Sequence, residues 1–134
     1  MNTSEMAARF AANGKFRVLI IEDEALIAML IEDMLIDLGH EIAGIASRMA
    51  DAIREAENGS FDFAILDVNL DGTPSYPVAD ILKARGIPFV FATGYGPKGL
   101  DPSHAGTATL QKPFLHADLE AALSPAHRVI GHRH

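Results

Sequence analysis

Glu22, Asp23, Asp67, Thr93 and Lys112 are the side chains of this sequence best placed to do chemistry, because each closes or directly follows a short apolar run. Phe61-Asp-Phe-Ala-Ile-Leu-Asp67 ends on a carboxylate and leads into a turn-like stretch, Asn69-Leu-Asp-Gly-Thr-Pro74. Val18-Leu-Ile-Ile21 runs into Glu22 and Asp23, Phe89-Val-Phe-Ala92 into Thr93, and Ala108-Thr-Leu-Gln111 into Lys112-Pro113. If these runs are parallel strands, their carboxyl ends share one edge, where ligands bind in open α/β sheets. Three acids, a hydroxyl and an amine then meet in one crevice. Clustered carboxylates repel unless a cation sits among them. Oxygen donors of this kind suit magnesium, which keeps several waters and takes one or two carboxylates plus phosphate oxygens. In this reading Asp23 and Asp67 are direct ligands, Glu22 holds a bound water, and the backbone carbonyl of Asn69 adds an oxygen. Asp67 is also placed as a nucleophile, since a carboxylate can accept a phosphoryl group as an acyl phosphate. Magnesium and Lys112 would neutralise charge on the moving oxygens, and the Thr93 hydroxyl would hydrogen-bond one of them.

Positioning these groups falls to alternating strands and helices. Short apolar runs separated by helical periodicity signal βαβ units. Strands are expected at 16–21, 41–46, 61–67, 87–93 and 107–111. Helices are expected at 24–38, 48–58 and 77–85, stopped by Gly39, Gly59 and Gly86, with a last helix from His116 to about Ser124-Pro125. Ile27, Leu30, Ile31, Met34 and Leu38 follow helical spacing and should face the sheet. The segment 94–106 is rich in Gly and Pro, so any helix there is short or frayed. Five such units with right-handed crossovers fit an α/β, flavodoxin-like, doubly wound parallel sheet of strand order 2-1-3-4-5. Residues 1–15 read as a tail or short extra helix, 16–124 as the domain, and 125–134 as a loose tail.

With 134 residues the chain fits one domain with a real core. It has no cysteine, hence no disulfide and no thiolate metal site. Its net charge of -7 argues against a nucleic-acid binder, which needs a basic face. No apolar stretch is long enough to span a bilayer, and residues 1–15 lack the apolar segment of a signal peptide. A cytoplasmic location is therefore expected, with neither nucleic acid nor membrane as partner. The six His are scattered without zinc spacing.

Taken in order, Val18-Leu-Ile-Ile-Glu-Asp-Glu24, Phe63-Ala-Ile-Leu-Asp-Val-Asn69, Phe91-Ala-Thr-Gly-Tyr95 and Leu110-Gln-Lys-Pro-Phe114 resemble the receiver domains of two-component response regulators. The resemblance spans 16–123. It implies Asp67 as the phosphorylation site, supplied by a phosphohistidine on a sensor histidine kinase or a histidine phosphotransfer protein. It implies Glu22 and Asp23 as the magnesium-binding pair, Thr93 and Lys112 as switch hydroxyl and phosphate-sensing lysine, and a cis peptide bond before Pro113. Many receivers carry an aromatic switch residue three positions before the lysine. Here that position is Thr109, and the aromatic is Tyr95 in the loop after the fourth strand. The Phe-Ala-Thr-Gly-Tyr motif resembles a subgroup of mostly stand-alone receivers linked to general stress signalling in alphaproteobacteria. Tyr95 is then expected to move when Thr93 meets the phosphoryl group, or to shield the acyl phosphate from water.

Simpler readings account for the neighbouring residues. Glu24 is a helix-start charge favoured by the dipole, Asp71-Gly72 a turn, and Thr73 and Ser75 caps for the next helix. Leu26 and Met29 lie off the core stripe of the first helix. They are either isolated exposed apolar residues, which are normal, or a docking surface for a kinase helix. The leading expectation is a phosphoacceptor module that acts through an unknown downstream protein and catalyses only its own phosphorylation and dephosphorylation. Two alternatives stand beside it. One is a degenerate receiver serving only as a protein-binding platform. The other is a haloacid-dehalogenase-type phosphatase, because Asn69-Leu-Asp-Gly-Thr73 resembles that family's signature, with Asn where its nucleophile should be.

Overall fold

The computed structural model describes residues 15–95 and 99–131, with side chains as far as Leu123. The expected tail at 1–15 lies outside these residues apart from Lys15, and so do 96–98 and 132–134. In chain order the elements are β1 (Arg17–Ile21), α1 (Ala25–Asp37), β2 (Glu41–Ala46), α2 (Met49–Asn58), β3 (Phe63–Asp67), β4 (Asn69–Leu70), β5 (Thr73–Pro74), α3 (Tyr76–Arg85), β6 (Phe89–Thr93), a 3-10 turn (Pro102–His104), β7 (Thr109–Gln111) and α4 (His116–Gly131). The main sheet is parallel, in the order β2-β1-β3-β6-β7, which is the expected flavodoxin-like 2-1-3-4-5 arrangement once the short β4-β5 pair is set aside. Among the described residues no helix is long and apolar enough to cross a membrane.

Side-chain alternation along the strands builds two cores. Val18 and Ile20 of β1, Phe63 and Ile65 of β3, and Val90 and Ala92 of β6 pack with Ile31 and Leu35 of α1 and Leu119 and Leu123 of α4. Leu19, Ile21, Ala64, Leu66 and Phe91 point the other way, against Ala52 and Ala56 of α2 and Val78 and Leu82 of α3. Each fully buried Leu, Ile or Phe stabilises the fold by roughly 1.5–3 kcal/mol, so both faces of the sheet are held. In register, Ile21 pairs with Leu66, Asp67 with Ala92, and Thr93 with Gln111. That ladder sets Glu22 beside Asp67, and Thr93 and Lys112 one step further along the same edge.

Several local expectations are corrected. Leu30 does not face the sheet; it is 62% exposed. The buried stripe of α1 is Ala28, Ile31 and Leu35, and residue 30 lies one residue, about 100° around the helix, from its centre. The last helix does not end near Ser124; its backbone continues through Pro125 to Gly131, so 125–131 is not a loose tail. A proline lacks its own N–H but holds a helical φ, so it weakens a helix without always ending it. The strands at 61–67, 87–93 and 107–111 begin two residues later than expected. Before β3, the buried Asp62 carboxylate accepts from the Arg17 N–H at 2.8 Å and takes the place of a ladder bond.

The stretch after Asp67 holds a hairpin that strand periodicity does not reveal. Leu70 pairs with Thr73 across Asp71 (φ 53°) and Gly72 (φ 80°). Two successive positive φ angles make the type I′ turn that favours Asp-Gly. Ser75 sits at the N-cap position of α3, but its hydroxyl caps nothing. It is fully buried and donates to the carbonyl oxygens of Asp67 and Val68 instead, tying the end of β3 to the start of α3.

Candidate functional site

Glu22, Asp67 and Lys112 extend the side-chain stripe that faces α1 and α4, and their side chains meet. The Lys112 ammonium donates to Glu22 Oε1 at 2.8 Å and to Asp67 Oδ2 at 3.2 Å. The other Glu22 oxygen accepts from the Glu24 N–H at 3.1 Å, and Asp67 Oδ1 accepts from the Asn69 N–H at 3.2 Å. Asp23 stands in the loop after β1, its Oδ2 accepting from the Asp71 N–H at 3.1 Å. The hairpin turn thus sets the orientation of Asp23. Oxygens of Glu22, Asp23 and Asp67 lie within 4.8 Å of one another.

Thr93 has the opposite parity and belongs to the α2–α3 side of the sheet. Its hydroxyl accepts from the Tyr95 N–H at 3.1 Å, and its side chain is nearly buried. A cavity of about 360 Å³ opens between the two sides, lined by Asp23, Asp67, Asn69, Thr93, Tyr95 and Lys112 among others. The Lys112–Pro113 peptide bond is cis. Tyr95 is 80% exposed, and Leu26 and Met29 lie on the outer face of α1, exposed by 76% and 55%.

Burial pushes the Glu22 carboxyl up to about 7, against the pull of its hydrogen bonds from Lys112 and Glu24 and with the Asp67 charge adding to the rise. Burial also works against the Lys112 ammonium. Its hydrogen bond to Glu22 and the charges of Asp67 and Glu22 outweigh that cost and hold it above the ordinary lysine range. Three carboxylates therefore converge around a single ammonium, and Lys112 reaches only two of them. A hard divalent cation fits this all-oxygen donor set, and magnesium bound there would neutralise charge on phosphoryl oxygens.

Sequence reasoning did not single out Tyr76 or His104. The Tyr76 ring stacks on His104 with centroids 4.2 Å apart. His104, only 6% exposed, stands between Asp80 and Asp101. The Asp101-Pro-Ser-His104 spacing is a visible signal, because an Asp N-cap accepts from the N–H three residues on. The contact to Asp80 spans 24 residues and has no local signature.

Residues 18–124 match the response regulator receiver domain family. The phyllosphere-induced regulator PhyR of Methylorubrum extorquens is 36% identical over 126 residues, covering 91% of this chain and 47% of that protein. The transcriptional regulatory protein PdtaR of Mycobacterium tuberculosis is 38% identical over 114 residues, covering 82% of this chain and 56% of that protein. The chain thus spans about half the length of these curated relatives. The solution structure of SdrG from Sphingomonas melonis Fr1 superposes with a TM-score of 0.73 at 45% identity, covering 82% of this chain and 94% of that one. With its fold, its acidic cluster and a family match over most of its length in agreement, the chain belongs to the receiver domains of response regulators, which catalyse nothing beyond their own phosphorylation and dephosphorylation.

Proposed function

We propose that the chain is the phosphoacceptor of a two-component phosphorelay and that Asp67 carries the phosphoryl group. One Asp67 oxygen would attack the phosphorus of a phosphohistidine on a sensor kinase or phosphotransfer protein. The new P–O bond forms as the P–N bond breaks, and the imidazole nitrogen leaves with the electron pair and takes up a proton. The observation that carries this reading is the placement of Asp67 at the cavity, with one oxygen on Lys112 and the other on the Asn69 N–H. Those contacts orient the carboxylate and offset charge as the acyl phosphate forms. Glu22, Asp23, Asp67 and Asn69 would hold magnesium, with Asn69 contributing its backbone carbonyl. The Thr93 hydroxyl would donate a hydrogen bond to one phosphoryl oxygen, and the Lys112 ammonium would hold another.

The Phe91-Ala-Thr-Gly-Tyr95 motif, the match over 94% of the SdrG chain and the likeness to the PhyR stress response regulator support assignment to the stand-alone, stress-linked subgroup. Tyr95 would then move over, or shield, the acyl phosphate. Leu26 and Met29 would receive the kinase or phosphotransfer helix. Leu30, which also lines an apolar cavity of about 470 Å³ with Ile27, Met34 and Phe114, widens that surface. Output would pass to a downstream protein in the cytoplasm. Incubation with a small phosphodonor and magnesium tests the reading: intact mass should rise by one phosphoryl group in the wild type and not in Asp67→Asn. Equal labelling of both would refute it.

A further inference from the structure

The return path from β6 to β7 is fastened to α3 by a compact polar network. The Asp101 N–H donates to the Tyr76 hydroxyl at 2.8 Å, and that hydroxyl donates to the Gly99 carbonyl at 3.5 Å. The Tyr76 ring stacks on the His104 ring, and the Phe91 ring of β6 meets both edge-on. His104 Nδ1 is 2.8 Å from Asp101 Oδ1 and 2.9 Å from Ser103 Oγ, and Nε2 is 3.0 Å from Asp80 Oδ1. Asp80, Asp101 and Tyr76 are the titratable groups that face the ring among the described residues; Phe91 offers only its ring. Ionised carboxylates only accept hydrogen bonds, so a ring protonated on both nitrogens satisfies both of them.

This network ends on the Thr93 hydroxyl. A Cβ placed on Gly99 would lie 2.7 Å from Thr93 Oγ1 and 3.3 Å from Tyr95 Cβ, so Gly99 packs against the hydroxyl and a larger residue there would force the Thr93 side chain to shift. Thr93 Oγ1 is meanwhile engaged by the Tyr95 N–H. The Tyr95 N–H occupies only an acceptor lone pair of that hydroxyl, but a swing of the Thr93 side chain toward a phosphoryl oxygen changes its fit against both that N–H and Gly99. We propose that Tyr76 and His104 are positioning residues for phosphoryl capture: by anchoring Asp101 and the Gly99 carbonyl they hold Gly99 in place against Thr93 in the resting protein and thereby set how readily the hydroxyl turns to the acyl phosphate. This rests on the phosphoacceptor reading of Asp67. A ligand that favours the turned state works against the network, so loosening the network favours the ligand.

Beryllofluoride, a phosphoryl mimic, is the probe, titrated into the full chain at fixed magnesium. Tyr76→Phe keeps the ring stack and removes only the hydroxyl. It should bind beryllofluoride about fivefold more tightly, the effect of one ordinary hydrogen bond. Asp80→Asn, on the surface of α3, should shift affinity the same way. Equal or weaker binding by Tyr76→Phe overturns the proposal. A second readout needs no ligand. The Asp101 and Tyr95 amide resonances of the wild type should shift with pH together with the His104 ring, and the part of the shift that follows the ring should be lost in His104→Gln. Flat wild-type amides overturn the proposal as well. If the wild type binds no beryllofluoride and takes up no phosphoryl group, the phosphoacceptor reading fails and the capture role fails with it. The amide data then decide only whether His104 controls the Thr93 loop.

Discussion

Lys112 lies closer to Glu22 than to Asp67, 2.8 Å against 3.2 Å. Its firmer partner is thus the acid at 1% exposure, not the one exposed to the cavity by 14%. Lys112→Ala should therefore act first on Glu22, leaving a buried carboxylate without its cation. Glu22 titrates near 7 in the folded state against an ordinary 4.5, so its ionisation already opposes folding as pH rises through that window. In metal-free buffer the substitution should cost about 1–3 kcal/mol at pH near 8. Near pH 5, where Glu22 stays protonated in the fold, the cost should be smaller. Urea unfolding at both pH values checks this; an equal cost at each would contradict it.

Asp23→Asn removes one carboxylate of the acidic cluster and leaves the Lys112 pairs in place. Magnesium affinity should fall by at least about tenfold, since even residues that only support a ligand cost 10–100-fold. Titration of the amide resonances at the site measures it. Adding excess chelator to the wild type should slow phosphoryl uptake from a small donor.

Leu26→Glu changes an exposed position on α1 with no packing to lose, so stability should move by no more than about 0.5 kcal/mol. Labelling by a small phosphodonor should be unchanged. Transfer from a phosphorylated histidine phosphotransfer protein that is active on the wild-type chain should drop. The pair of rates separates docking from chemistry, and equal transfer by both chains would remove Leu26 from the docking surface.

His104 adds a second pH dependence of stability, with the same sign as that of Glu22. Burial lowers its pKa, but its hydrogen bonds to Asp101 and Asp80 and their charges win and raise it above 6.5. A raised folded-state value means that its contribution is fully present below pH 6.5 and is lost as pH climbs through the folded value. Urea midpoints of wild type and His104→Gln should therefore differ most in mild acid and converge in alkali.

The sheet and its reactive edge were legible because four of its five strands end abruptly, an apolar run giving way to Glu22, Asp67, Thr93 or Lys112. Periodicity also placed α1 and α2 to within a residue or two. Leu30 was misplaced because apolarity alone cannot say where a stripe ends when one helix carries apolar residues on both faces. Ser75 looked like a helix cap from its position, yet two nearby carbonyls of the strand end compete for its hydroxyl. The His104 cluster was invisible for a different reason: its closing contact, to Asp80, exists only after α3 has docked.

Strand pleating has one last consequence. Glu22, Asp67 and Lys112 belong to the layer shared with α1 and α4, whereas Thr93 belongs to the layer shared with α3. A modification at residue 67 sits on the seam between these layers. A donor approaching from one flank and a listener waiting on the opposite flank need not compete for the same ground, so loading and reporting can be tuned by separate substitutions.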